Sequence, residues 1–295
     1  MKIALVTAIA AFALDDDLAP LQQAMIRAGI DAPILAWDDP SVSWSRFDVV
    51  LLRSPWDYAE RLPEFLAWAE RISAITTLLN PLDVIRRNTD KHYLADLAKV
   101  GVPIVPSRFA EPGDDADAAL RSFLEAFPTA KEFVIKPAIG AGSRDAQRYG
   151  REQDAEAVRH IARLLDANRS VLMQPYLDSV DDAGETALIF FDGHFDHAIR
   201  KGPLLHKNEG PTEQLFATEQ ITARTPGEDE LAVARAALAA LPGDPLAYAR
   251  VDLIRAADGS PVLLELELTE PSLFFPFSDG SADRFAASLI ARLAR

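Results

Sequence analysis

The sequence predicts a mixed fold, with an α/β unit built on a parallel sheet followed by α+β units built on antiparallel hairpins. Three observations carry that expectation. Short apolar runs alternate with amphipathic stretches through the first third of the chain. Two Asp-Gly dipeptides separate strand-like runs in roughly the last 110 residues, and such dipeptides favour tight hairpin turns. The chain has 295 residues, 49% hydrophobic and 25% charged, enough for two or three domains with buried cores. The expected units span residues 1–85, 86–180 and 181–295.

Residues 3–7 read as the first strand. The apolar run 3–14 behind a single Lys also has the outline of a signal peptide, but its removal would delete the natural first strand of an α/β domain. Residues 18–28 are amphipathic and stop at Gly29. Residues 32–36 form a short strand, and 47–52 a continuous apolar run suited to a buried parallel strand. Helical spacing returns over 62–75. The C-terminal ends of parallel strands form the usual ligand rim. That places Asp15 to Asp17 and the run from Arg53 to Tyr58 there.

Asn88-Thr89 is expected to cap a helix over 90–99 that ends at Gly101. Residues 102–106 contain two prolines and must be extended. A helix over 116–127 leads to a strand over 133–136, a small-residue loop over 140–145, a helix over 154–167 and a strand over 171–174. The remainder reads as two hairpins with helices between and after them.

Composition excludes several classes. The net charge is −15, which argues against general nucleic-acid binding and against an anionic membrane surface. There is no cysteine, so no disulfide scaffold, thiolate zinc site or Cys nucleophile. No apolar run is long enough to span a bilayer. A cytoplasmic protein is expected, and a homo-oligomer is left open.

The second hairpin carries the most chemistry. A two-residue turn at Asp258-Gly259 would set Asp252 opposite Glu265 and Arg250 opposite Glu267, all on one face. Leu264, Leu266 and Leu268 would lie on the other. Facing carboxylates repel, but hard oxygens on rigid strands suit Mg²⁺ bound with phosphates. Arg250 could stabilise a phosphoryl group in transit. A solvated face with a compensating Arg is the bland alternative. By the same construction, Asp192-Gly193 would pair Glu185 with Arg200, either as a plain ion pair or with Arg200-Lys201 as an anion clamp. Lys136 ends an apolar strand ahead of Gly140, Gly142 and Ser143. A buried Lys needs a partner, and glycine lets backbone N–H groups approach phosphate.

In order along the chain stand Asp90-Lys91 before Gly101-Val102-Pro103, then Phe133-Val134-Ile135-Lys136-Pro137 before a small-residue loop. Gln174-Pro175-Tyr176-Leu177 and Arg250-Val251-Asp252 with Glu265-Leu266-Glu267 follow. This ordered set, from about residue 81 to the end, resembles the ATP-grasp superfamily. The resemblance implies an ATP-grasp fold behind a small N-terminal α/β domain, with ATP and Mg²⁺ as cofactors. Lys91 and Lys136 would hold the phosphates, with Gly140, Gly142 and Ser143 beside them. Gln174, Pro175, Tyr176 and Leu177 would line the adenine, and Asp178 or Glu185 would reach the ribose. Asp252, Glu265 and Glu267 would bind the metal. Glu267 departs from the Asn usual at that position.

Within the superfamily the chain is similar to the cyclo-ligases that close O-ureido-D-serine to D-cycloserine. That similarity rests on Asp15-Asp16-Asp17, Arg53-Ser54-Pro55-Trp56-Asp57-Tyr58, Asn88 to Leu94, and Glu265 to Ser272. It implies an amino-acid-like substrate whose carboxylate is phosphorylated and then attacked intramolecularly. Arg53 would pair with the carboxylate, the run Asp15-Asp16-Asp17 (Asp16 foremost) and Asp57 with the amino group, and Glu270 would belong to the same side. Residues 202–210, with His206-Lys207-Asn208, are the expected lid. An intermolecular carboxylate–amine ligase and a non-catalytic ATP-binding module are the competing readings. A dinucleotide enzyme is disfavoured, since no Gly-x-Gly-x-x-Gly follows the first strand.

Overall fold

The computed structural model describes residues 1–205 and 220–295. It contains three sheets. The first is parallel, in the order β2-β1-β3-β4, from β1 (Ile3–Thr7), β2 (Ile34–Ala36), β3 (Val49–Ser54) and β4 (Thr77–Leu79). Helices α1 (Leu18–Arg27) and α2 (Leu62–Ser73) supply the crossovers. Every residue of β1 is buried between two neighbours, so the N-terminal apolar run is a core strand.

The second sheet is antiparallel, in the order β5-β8-β6-β7, from β5 (Arg108–Ala110), β6 (Glu132–Pro137), β7 (Gln147–Gly150) and β8 (Val171–Pro175). Helices α5 (Ala116–Ala126) and α6 (Asp154–Asp166) cover it through Phe123, Phe133, Tyr149, Ile161 and Leu164. Asp115 caps α5 by accepting from Ala118 N–H at 2.8 Å.

The third sheet runs β11-β10-β9-β12-β13, from β9 (Glu185–Phe191), β10 (His194–Lys201), β11 (Ile221–Arg224), β12 (Tyr248–Arg255) and β13 (Pro261–Glu267), all antiparallel. The first and third sheets share a core. Ile3, Leu5 and Leu51 pack with Ile189, Phe191, Tyr248 and Phe285, the last from the C-terminal helix Ser281–Leu293. Asn80 bolts the two together: its amide donates to the carbonyls of Tyr248 (2.9 Å) and Leu268 (2.7 Å) and accepts from Ala247 N–H (3.0 Å).

Two β-bulges correct the hairpin registers. In β12–β13 the pairs Arg250–Glu267 and Asp252–Glu265 form as expected, but Leu253 faces Leu263. The turn is wider than two residues, since Ala256 N–H bonds Ser260 O and Gly259 N–H bonds Ala256 O. The extra residue near Leu264 restores the outer register. It also takes Leu264 away from Leu266 and Leu268, to pack with Val105, Val180, Ile254 and Val262. In β9–β10 the register shifts between Phe195 and His197, so Glu185 faces Lys201 and Arg200 faces Thr186.

Asn88 is not a cap. It closes α3 (Leu82–Asn88), and the next helix, α4 (Tyr93–Lys99), starts later. The Asn88 amide bonds the edge of β13 and its continuation, donating to Leu266 O (2.6 Å) and accepting from Leu268 N–H (2.7 Å). Extended residues 103–105 add to the same strand through Val105 N–H to Leu263 O and Leu263 N–H to Pro103 O, both 2.8 Å. Among the described residues, no helix is long and apolar enough to cross a membrane.

Candidate active site

The three sheets converge on one cavity. The second sheet contributes Lys136, the loop Gly140 to Arg144, and Gln174 to Leu177. The third contributes Glu185, Lys201, Arg250, Asp252, Ile254, Leu264, Glu265 and Glu267. Trp56 and Tyr58 enter from the rim after β3, and Glu270, Ser272 and Phe274 from the segment after β13.

One end is an apolar slot. Val105, Tyr176, Leu177, Val180, Ile254 and Leu264 pack together there. Tyr176 is held rigidly: its N–H donates to Glu132 O at 2.9 Å, its hydroxyl donates to Asp181 at 2.6 Å, and the Arg148 guanidinium lies 3.5 Å from its ring centroid. Arg148 in turn pairs with Glu132 and Asp181. Gln174 donates to Ser107 Oγ at 2.9 Å. A flat, apolar, stiffly walled slot suits a heteroaromatic ring.

The middle is a charge array. Lys91 Nζ lies 2.9 Å from Glu265 and donates to Gly140 O at 2.9 Å, tying the glycine loop to β13. Gly142 and Ser143 take left-handed backbone (φ 63° and 60°) where that loop turns. Lys201 Nζ bridges Glu185 (2.8 Å) and Asp252 (2.7 Å). Arg250 pairs with Asp252 (2.9 Å) and with Glu267. Lys136 has no ion-pair partner among the described residues. Burial, helped by the neighbouring Lys91 and Lys201, lowers its pKa despite Glu265. A half-buried ammonium with no close ion pair among the described residues, beside a glycine loop, is a place for anionic oxygens.

The acids divide sharply. Burial would raise Asp252, but Arg250 and Lys201 hold it down to about 2. Glu265 is lowered against its burial by Lys91 and Lys136. Glu267 is pushed up to about 8 by burial and by Asp252 and Glu265, against Arg250. Glu270, buried in the same wall, is pushed up to about 7 despite a hydrogen bond from Tyr58. Three carboxylates, Asp252, Glu265 and Glu267, thus stand close enough on β12 and β13 that Asp252 and Glu265 help to raise Glu267, and the donors are hard oxygens. That set fits a divalent cation such as Mg²⁺. Among the described residues no three carboxylates or imidazoles are gathered as a metal cluster, because each of the three acids turns to a Lys or Arg.

Several expected residues lie elsewhere. Arg200 points out of the cavity, and its guanidinium donates to Ala183 O (2.8 Å) and Asp182 O (3.0 Å), because the β10 bulge turns Lys201 inward instead. Arg53 is fully buried beneath the site and donates to Pro271 O at 2.5 Å. Asp57 accepts from Trp37 Nε1 (2.8 Å) and Arg61 (3.1 Å), bracing the first domain. Asp16 is exposed, as is Asp178, and neither lines the cavity. The expected lid residues 206–210 lie outside the described residues, while Leu204 and Leu205 line the cavity. Lys201 was expected only beside Arg200 in an anion clamp, and the bulge makes it the inward member. Tyr58 and Ser272 stood within the motifs that carry the resemblance, without a role of their own, and Phe274 carried no sequence signal.

This constellation on this fold defines an ATP-grasp ligase. The structure matches the ATP-grasp ligase PsnB with a TM-score of 0.65 at 18% identity, over 99% of this chain and 98% of that one. It matches the crystal structure of D-cycloserine synthetase DcsG with a TM-score of 0.94 at 48% identity, over 99% and 100%. The profile of the D-cycloserine synthetase DcsG N-terminal domain matches residues 3–80. The cycloserine biosynthesis protein DcsG of Streptomyces lavendulae is 49% identical over 99% of this chain and 98% of its own length. The chain belongs to the DcsG family.

Proposed function

We propose that this ligase closes an amino acid onto its own carboxylate, converting an O-ureido-D-serine-type substrate into D-cycloserine. The observation that carries the reading is the single cavity joining Lys136 and its glycine loop to the acids of β12–β13 and on to Glu270, in a chain half identical to DcsG. ATP would lie with its base in the slot of Tyr176, Leu177 and Leu264 and its phosphates against Lys91, Lys136 and the loop. Asp252, Glu265 and Glu267 would hold Mg²⁺, which supplies charge neutralisation for the phosphates. Arg250, positioned by Asp252, stabilises charge on the moving phosphoryl group. Glu270 and Tyr58, at the far end, face the amino-acid side.

In the first step the substrate carboxylate oxygen bonds to the γ-phosphorus and the bridge to ADP breaks. In the second, the nitrogen bonded to oxygen attacks the acyl carbon, the C–N bond forms, and phosphate leaves with that carboxylate oxygen. Hydrolysis of the carbamoyl group to carbon dioxide and ammonia completes the balance. The residues contribute placement and exclusion of water rather than covalent catalysis.

The test is phosphate release from Mg-ATP with a panel of small amino acids, O-ureido-D-serine included, offered singly and in pairs. Release with the single ureido substrate, lost in Glu265→Gln, is the expected result. Release only with pairs would instead make the enzyme an intermolecular amide ligase.

A further inference from the structure

The segment after β13 that walls the Glu270 end, residues 271–275, has no sheet partner. Its backbone is held by side chains from four other elements. Asp17, buried at the start of α1, accepts from Leu273 N–H (2.5 Å), Phe274 N–H (3.0 Å) and Phe275 N–H (2.8 Å). Arg53 donates to Pro271 O (2.5 Å), Arg250 to Ser272 O (3.2 Å), and His197 Nε2 bonds Leu273 O (2.9 Å). Phe274 takes a left-handed backbone (φ 55°), which a bulky residue keeps only where surroundings over-determine it. Its ring lines the cavity and lies 5.3 Å from the Arg250 guanidinium.

We infer that Asp17 is a positioning residue for the amino-acid substrate: its carboxylate clamps residues 273–275 so that Ser272 and Phe274 are presented to the substrate side of the cavity. Asp17 reaches the cavity only through this segment. A carboxylate accepting several N–H groups is a nest turned inside out; an amide in its place keeps one acceptor and sets an NH₂ against the remaining N–H groups. Arg53 works on the same segment from the β3 side, so two acidic and basic positions near the parallel-sheet rim act together on a wall formed more than 200 residues later. The assignment rests on the Glu270 end being the amino-acid side.

Two measurements test it. In Asp17→Asn, amide hydrogen exchange of residues 273–275 should accelerate at least tenfold, while exchange in β12 stays as in the parent. Steady-state kinetics should then show the KM for the amino-acid substrate rising roughly 10- to 100-fold, with the KM for ATP changed less than about twofold. His197→Ala, which removes one bond from the other side of the segment, should shift the same KM in the same direction by a smaller factor; it decides the matter if Asp17→Asn does not fold. Unchanged exchange at 273–275, or equal losses for both substrates, would overturn the assignment. Exchange needs no turnover, so it stands apart from whether the proposed ligase reaction is right.

Discussion

At the scale of single residues, the cavity shows how a shift of one position moves function from one side chain to its neighbour. A simple turn at Asp192-Gly193 puts Arg200 opposite Glu185, and the bulge before His197 replaces it with Lys201. Lys201→Gln should therefore lower kcat by about 10²- to 10³-fold, the usual cost of losing a group that stabilises transferred charge. Arg200→Gln, which loses only contacts to main-chain carbonyls, should stay within a few-fold of the parent. Equal losses in the two variants would place Arg200 in the reaction after all. That Lys136, Glu265 and Asp252 line the cavity was legible because strand alternation and turn chemistry are local rules. That Arg53 and Asp57 lie off it was not, because a charged residue near a strand end looks the same whether it meets a ligand or a distant protein group. Burial alone separates the two cases, and burial is set by residues such as Pro271 that lie far away in the chain.

At the scale of elements, period and turn signals located most strands and helices, and missed those defined by long-range pairing. The strand β7 has little apolar pattern and exists because it pairs with β6. The misread Asn88 is a further case: its amide serves a strand edge almost 180 residues away, which no capping rule anticipates. The α6–β7 contact carries a pH prediction. His160, buried on α6, bonds the Tyr149 hydroxyl at 3.0 Å. Burial, with Arg163 nearby, lowers its pKa from 6.5 to about 4. Between those values the unfolded chain binds a proton that the folded chain refuses. Stability is thus fully present above about pH 6.5 and declines as pH falls toward about 4. Denaturant titrations across this window should show a shallower decline in His160→Gln, which keeps an acceptor for Tyr149 but cannot be protonated. An identical slope would mean that other groups set the acid limit.

At the scale of the whole molecule, the parallel sheet is a structural partner of the catalytic sheet as well as a neighbour. Asn80 makes three hydrogen bonds to Ala247, Tyr248 and Leu268 from a fully buried position. Asn80→Ala leaves those backbone groups without partners and should cost on the order of 3 kcal/mol, seen as a lower denaturant midpoint. The first and third sheets should still unfold together, because they share one core. A separate early transition for the first domain would contradict that coupling. The central claim, however, is chemical: one carboxylate is activated by phosphorylation and consumed by a nitrogen of the same molecule. Substrate labelled with ¹⁸O in its carboxylate tests it most directly, by mass spectrometry of the phosphate released in a single turnover with Mg-ATP. The account predicts one ¹⁸O in each phosphate and a ring-closed product. Unlabelled phosphate, with the label kept in the substrate or product, would contradict an acyl phosphate.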